Sequence, residues 1–178
     1  MADGAQSFAV DTCAIGDLTG ENRDTALPYR PDQRERVWQG LEGLIELKRL
    51  FTVQQAKDEM RKHCPKGFKR LMHYGRRFWV PRTAAVWLAT SEVLAMAAEP
   101  RTLTRYATAK PNHDPADPYL VGLAVVRNAL IVTSEKGRHE RTRNLSHQQI
   151  PDLCLAYFGT GDRVIHLVDL VDLEGWLR

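Results

Sequence analysis

The sequence predicts a three-layer α/β/α protein, in which helices cover both faces of a central, mostly parallel sheet of four to five strands. Short apolar segments of strand length alternate with longer segments of helical period along the whole chain. The segment 129–133 is continuously apolar, as expected for a strand that is buried on both faces. No repeat or Pro/Gly/Ser-rich linker divides the 178 residues. We therefore expect a single domain spanning 1–178.

The first half of the chain is predicted to contain two strand–helix units. In order, these elements are a strand at 7–10, a polar loop at 19–34, a helix at 32–48, a strand at 50–53 and a short helix at 54–63. Gly20 and Pro28 indicate the loop. Val37, Leu41 and Leu44 recur near the helical period and give the first helix one apolar face.

The second half continues the alternation. Its elements are an apolar helix at 83–98, a helix at 114–128, a strand at 129–133, a helix at 150–158, a strand at 164–167 and a closing helix at 168–177. Pro100 ends the apolar helix, and Asp-Pro pairs open the helix that follows. Strands that alternate with helices form right-handed crossovers, so the strands are expected to be parallel.

Composition excludes several classes of protein. With 43% apolar and 26% charged residues, the chain is neither disordered nor fibrous. Three widely spaced cysteines without a C-x-x-C pair predict neither a disulfide framework nor a zinc knuckle, and favour the cytoplasm. No signal peptide or membrane span is expected, and no Gly-rich phosphate loop is present.

Positive charge is concentrated in the middle of the chain. Residues 61–82 contain eight Lys and Arg and no Asp or Glu, with four aromatic residues between them. Such a pattern suits single-stranded nucleic acid, although it also fits a solvated surface. We interpret 61–100 as a basic and helical insertion within the domain. Trp79 is expected to be a core residue or a base-stacking platform.

Four carboxylates occupy positions that a parallel sheet brings together. Asp11 directly follows the first strand, and Glu135 follows the strand at 129–133. Glu59 lies on the helix after the second strand, and Asp117 opens the helix that leads into 129–133. Four acids in one pocket repel one another unless a cation lies among them, and oxygen ligands favour Mg²⁺ or Mn²⁺. Each acid also has a structural interpretation, Asp11 and Asp117 as helix caps and Glu59 and Glu135 as solvated surface residues.

The ordered set of acids resembles PIN domains, which are metal-dependent ribonucleases that include the toxins of VapC-type toxin–antitoxin pairs. The matching positions are Val10-Asp11-Thr12, Glu59, Asp117 at the start of DPYLVGLA, and Glu135 at the end of LIVTSE. The segments VWQGLEGLIELKRLFTVQQAKDEM and IPDLC are most similar to an uncharacterised prokaryotic branch of PIN-like proteins. The resemblance covers nearly the whole chain and implies a PIN-like fold.

The resemblance implies hydrolysis of RNA by a water that Mg²⁺ or Mn²⁺ activates. The implied metal ligands and catalytic residues are Asp11, Glu59, Asp117 and Glu135, and the hydroxyls that flank them belong to Thr12 and Thr133. The implied partners are an RNA substrate and a small antitoxin, with a homodimer formed through the helix at 83–98 as a further possibility.

Basic residues of the segment 61–82 and of a second basic cluster, Lys136, Arg138, Arg141 and Arg143, are candidates for contact with the RNA backbone. Lys136 and Arg138 directly follow the fourth acid, so we expect them at the rim of the site, where solvated side chains are the alternative. From the basic middle we select Lys69, Arg76 and Arg77.

Two departures from the PIN pattern leave an alternative open. PIN domains usually have Asp where this chain has Glu135, and their basic middle is shorter. The alternative is a PIN-fold module that binds RNA or protein and has little catalytic activity. Cys13 is interpreted as a small structural residue, and His166 as a hydrogen-bonded core residue of the last strand.

Overall fold

Five short parallel strands form the centre of the protein. A computed structural model describes residues 5–21, 29–97, 116–137 and 149–177. The strands are β1 (Phe8–Val10), β2 (Leu50–Val53), β3 (Trp79–Val80), β4 (Leu130–Val132) and β5 (Val164–Ile165). They are all parallel and follow the order β3-β2-β1-β4-β5. Together with the helices that flank the sheet, this confirms the predicted three-layer α/β/α class.

Eight α-helices flank the sheet within the described ranges. They are α1 (Thr12–Thr19), α2 (Pro31–Glu46), α3 (Ala56–His63), α4 (Pro65–Leu71), α5 (Ala84–Ala97), α6 (Ala116–Arg127), α7 (Ile150–Phe158) and α8 (Leu167–Glu174). None of the helices described is both long enough and apolar enough to cross a lipid bilayer.

Helix α1 is absent from the predicted elements, although the interpretation of Asp11 as a helix cap implies a helix at this position. The Asp11 side chain caps it by accepting a hydrogen bond from the backbone N of Thr12, and Gly20, with φ of 70°, ends it. The predicted loop at 19–34 therefore begins at the end of this helix, and α2 already starts at Pro31. Proline suits the first position of a helix because that residue needs no N–H partner.

The basic middle of the chain contributes to the sheet. After α4, a 3-10 helix (Met72–Arg77) leads into β3, which pairs with β2 and forms one edge of the sheet. Trp79 is buried, and its indole Nε1 donates a hydrogen bond to the carbonyl of Leu71 at 3.3 Å. The possible base-stacking role of Trp79 is therefore wrong, because its ring is a core element.

Glycines permit two close helix contacts. A Cβ at Gly40 of α2 would lie 2.3 Å from the indole ring of Trp176, so this ring packs directly on the α2 backbone. Gly122 of α6 similarly allows Thr90 of α5 to approach, because a Cβ there would lie 2.4 Å from the Thr90 hydroxyl. These contacts hold α2 and α6 close to their neighbours.

Helix α5 has an apolar exposed side as well as a buried one. Val86, Val93 and Ala97 are buried, whereas Trp87 and Leu88 are more than half exposed. The homodimer predicted through this helix has a suitable apolar surface, and it stays a prediction.

Candidate functional site

The strand order creates a crevice at the carboxyl edge of the sheet. From β1 the chain continues outward through β2 and β3, and it later returns to β4 on the other side of β1. In open parallel sheets, ligands bind outside the carboxyl ends of the strands where the direction of winding changes. Here that point lies between β1 and β4, and it is occupied by Asp11 and by the turn at 133–135.

Asp11 is held by three hydrogen bonds. The backbone N of Thr12 donates to Oδ1 at 2.6 Å, while the Cys13 thiol and the Thr133 hydroxyl donate to Oδ2 at 2.6 and 2.9 Å. The Asp11 backbone N also donates to the Val132 carbonyl at 2.9 Å, which continues the pairing of β1 with β4. The carboxylate is thus fixed at the crevice.

Cys13 and Thr133 connect Asp11 to the turn after β4. The Cys13 Sγ lies 3.2 Å from the Thr133 hydroxyl and accepts a hydrogen bond from the Ser134 backbone N at 3.2 Å. The Thr133 hydroxyl also accepts from the backbone N of Glu135 at 3.0 Å. Asp11, Cys13 and Thr133 therefore form one network that sets the position of the Glu135 backbone.

Burial dominates the electrostatics of this network. Burial raises the pKa of Asp11, although its hydrogen bonds from Cys13, Thr133 and Thr12 act in the opposite direction. Burial, followed by the charge of Asp11, raises the pKa of the Cys13 thiol well above its usual value. Cys13 therefore remains a thiol at neutral pH and acts as a hydrogen-bond donor, not as a nucleophile.

Glu59 lies near enough to Cys64 for its charge to affect that thiol. It occupies the first turn of α3, which begins three residues after β2 and therefore at the carboxyl edge. Burial raises the pKa of Cys64 to about 12, and the charges of Glu21, Glu59 and Asp11 contribute to this rise. The Cys64 Sγ in turn lies 3.9 Å from the Thr12 carbonyl. Glu59 and Asp11 thus act electrostatically on one thiol.

Asp117 is buried in the first turn of α6. Helix α6 ends at Arg127, three residues before β4 begins, so it runs antiparallel to the strands. Its start therefore lies at the same carboxyl edge as Asp11. Only 8% of Asp117 is exposed, which is uncommon for a carboxylate.

Glu135 has a structural contact that the sequence did not reveal. Its carboxylate Oε2 accepts a hydrogen bond from the backbone N of Ile150 at 2.9 Å, at the start of α7. A carboxylate at this position complements the helix dipole. Glu135 also acts electrostatically on Cys13, which places its charge near the Asp11 network.

Several helix N-termini point at this edge. Helices α1, α3, α6, α7 and α8 all begin at the carboxyl ends of the strands. The N-terminus of a helix carries a partial positive charge, so this arrangement offsets part of the repulsion among the acids and favours an anionic ligand.

The donor chemistry of the site fits a hard divalent cation. The described residues give Asp11 no Lys, Arg or His partner, so a buried carboxylate lacks a counter-charge. The Thr12 hydroxyl is buried there without a hydrogen-bond partner in the described part of the chain. As placed, however, no three His, Cys, Asp or Glu side chains within the described ranges converge closely enough to hold an ion.

The predicted RNA-contacting residues differ in availability. The described residues give Lys69 and Arg76 no ion pair, and both side chains are exposed, as is Lys136. Arg77 pairs with Glu46 at 2.6 Å. Arg138 lies outside the described residues.

His166 belongs to the edge of the site, so its assignment as a core residue was wrong. It directly follows β5, precedes α8 and is exposed. Its ring Nδ1 lies 3.1 Å from the carbonyl oxygen of Thr133. His166 directly follows β5 just as Asp11 directly follows β1, so the criterion that indicated Asp11 also indicates His166.

The chain matches one family model over most of its length. The match covers residues 22–176, from the segment before α2 to Trp176 after α8, so β1 and Asp11 precede it. No curated protein and no solved structure gave a significant match. The chain therefore belongs to the family described as a domain of unknown function, DUF4411.

Proposed function

We propose that this protein is a metal-dependent endoribonuclease with a PIN-like fold, whose site is the crevice between β1 and β4. The observation that carries the proposal is Asp11, a buried carboxylate without a cationic partner in the described residues, located at the point where α/β sheets bind ligands. Its environment raises the pKa of the carboxyl, and a divalent ion would supply the missing counter-charge.

Asp11, Glu59 and Asp117 would hold the ion, with Glu135 completing the site. Mg²⁺ or Mn²⁺ supplies an activated water and neutralises charge on the phosphodiester. Thr133 and Cys13 hold the Asp11 carboxylate in one orientation through their bonds to Oδ2. Because no three acids converge among the residues that the structure describes, we expect metal binding to draw these side chains together.

Substrate binding would use the charge at the rim. The helix N-termini at the edge favour the phosphate backbone, and Lys136, next to Glu135, carries exposed positive charge there. Lys69 and Arg76 are also exposed cations, but Arg76 comes three residues before β3 and therefore lies at the amino edge of the sheet, opposite Asp11. Arg77 is expected to contribute less because it is paired with Glu46. We expect Lys136→Ala to weaken RNA binding by the same factor for all RNA sequences, and we expect this effect to decrease at high salt.

Cleavage of RNA in the presence of Mn²⁺ tests the proposal. Wild-type protein is incubated with structured and unstructured RNA, with Mn²⁺ or with EDTA. We expect cleavage only with the metal and none by Asp11→Asn. The matched control is Asp58→Asn, because Asp58 is exposed beside Glu59 and pairs with Arg61. Equal cleavage with and without the metal, or none in either, would refute the nuclease.

The stability of Asp11→Asn shows whether a loss of activity is a folding defect. A raised pKa means that the folded protein holds the Asp11 proton more tightly than the unfolded chain does. Ionisation of Asp11 therefore destabilises the folded protein. This destabilisation is absent below about pH 4, where Asp11 is protonated in both states, and is complete above the raised pKa of the folded state. In EDTA, we expect Asp11→Asn to gain stability relative to wild type as the pH rises from 4 to 7.

The toxin role and the inactive module remain separate proposals. A toxin would be inhibited by a small antitoxin that fills the acidic crevice, and it would reside in the cytoplasm. A binding module of the same fold would bind RNA without requiring metal. Its specific support is that Glu135 already caps α7, so one of its oxygens is engaged. RNA binding that is unchanged by EDTA, without cleavage, would favour the module.

A further inference from the structure

His166 lies beside the Asp11 network, directly after β5, the strand that neighbours β4. Val132 of β4 pairs with Ile165 of β5, so the next residues, Thr133 and His166, are also neighbours. Thr133 joins the two directly, because its hydroxyl donates to Asp11 and its carbonyl oxygen lies 3.1 Å from His166 Nδ1. Adjacent strands are about 4.8 Å apart, which places β5 roughly 10 Å from β1.

The Thr133 contact determines how the imidazole presents its second nitrogen. A carbonyl oxygen only accepts hydrogen bonds, so the proton at this contact is on Nδ1. In the neutral ring, Nε2 is then a hydrogen-bond acceptor. The side chain is exposed, and the ring contact that the structure gives is the one made by Nδ1. His166 thus offers a fixed acceptor at the rim of the crevice.

The carboxylates around His166 oppose the partial positive charge at the N-terminus of α8, which by itself would favour a phosphate here. The His166 backbone N donates to Asp169 Oδ2 at 3.1 Å, which brings a carboxylate next to the ring. Asp11 and Glu135 lie on the other side, beyond Thr133. A neutral hydroxyl that donates a hydrogen bond avoids the repulsion that these acids exert on an anion.

We propose that His166 Nε2 accepts a hydrogen bond from a ribose 2′-hydroxyl of RNA bound at Asp11, and that it thereby selects RNA over DNA. The inference rests on the proposed function, and it assigns the preference of that function for RNA over DNA to one residue. A stacked strand advances about 3.4 Å per nucleotide, so the distance from β1 to β5 corresponds to roughly three nucleotides. The 2′-hydroxyl is the group by which a protein distinguishes RNA from DNA at a given site.

The experiment uses one RNA oligonucleotide and a series in which single riboses near the cleavage position are replaced by deoxyribose. With wild type and Mn²⁺, we expect one position at which the replacement slows cleavage about threefold to tenfold, as for one lost hydrogen bond. The variant His166→Asn keeps an N–H donor near the position of Nδ1 but lacks Nε2. We expect it to cleave the all-ribose strand more slowly and to show no preference at that position.

His63→Asn is the matched control, because His63 ends α3 and is exposed. It should keep the preference of the wild type. Affinity for the same oligonucleotides in EDTA gives a second readout without catalysis, and there too the preference should vanish only in His166→Asn. If His166→Asn retains the preference in both assays, the inference is overturned. If wild type prefers ribose in binding but never cleaves, the nuclease fails and the role of His166 stands.

Discussion

Replacing Thr133 by valine tests the network that holds Asp11. Thr133 is fully buried, and its hydroxyl donates to Asp11 Oδ2 at 2.9 Å and accepts from the Glu135 backbone N at 3.0 Å. Valine has nearly the same shape, so it removes the hydroxyl while filling the space. A hydrogen bond to a charged acceptor contributes about 1.5–3 kcal/mol, and an N–H without a partner costs about 1 kcal/mol more. We therefore expect Thr133→Val to lower the free energy of unfolding by about 2.5–4 kcal/mol.

Thr133→Ser is the control, because it keeps the hydroxyl and loses one methyl group, worth about 0.8 kcal/mol. Urea unfolding at pH 7 in EDTA, followed by tryptophan fluorescence, compares the two variants. The hydrogen bond lowers the pKa of Asp11, so its removal raises that pKa further. The contribution of the Thr133 hydrogen bond to the free energy of unfolding is complete when Asp11 is ionised, and it decreases as the pH falls through the pKa of Asp11 in the folded state. A Thr133→Val variant that is no less stable than Thr133→Ser would refute the network.

Two further predictions concern packing and thiol reactivity. Gly40→Ala should destabilise the protein by about 1–3 kcal/mol, because the added Cβ would overlap the Trp176 ring. Gly43→Ala on the same helix should stabilise it by up to about 1 kcal/mol, since no atom lies within 4 Å of the added Cβ. Thermal unfolding of both variants measures these changes, and equal effects would contradict the contact between Gly40 and Trp176. Burial raises the pKa of Cys64 and of Cys154 to about 12. Both thiols should therefore react with iodoacetamide at pH 8 at least a hundredfold more slowly in the folded protein than in urea. Rapid labelling of these two cysteines in the folded protein, measured by mass spectrometry, would contradict their burial.

The sequence predicts most of the fold because buried helices and strands each require a characteristic spacing of apolar residues. The stripe of Val37, Leu41 and Leu44 indicates α2, and a continuous apolar run indicates β4. Helix α1 is missing from the predicted elements because it has only eight residues, and the possible cap at Asp11 is the one local signal for it. Strand β3 escapes because it has two residues and follows a basic segment.

The site is predictable only where topology dictates it. The rule that polar residues after parallel strands share one edge places Asp11 and Glu135 on neighbouring strands. The same rule also indicates His166, because β5 ends at Ile165, whereas the predicted strand at 164–167 includes His166. The capping of α7 by Glu135 joins residues 15 positions apart across a segment that is largely outside the described ranges, so no local pattern encodes it.

Titration of the metal-free protein with Mn²⁺, followed by calorimetry, tests the central claim most directly. Wild type should bind one ion per chain, and Asp11→Asn and Glu59→Gln should each lose this binding. Asp58→Asn should retain it, because Asp58 is exposed and already paired with Arg61. If wild type takes up no Mn²⁺ at millimolar concentration, or if Glu59→Gln binds the ion as well as Asp58→Asn does, the carboxylates at the edge of the sheet do not form a metal site.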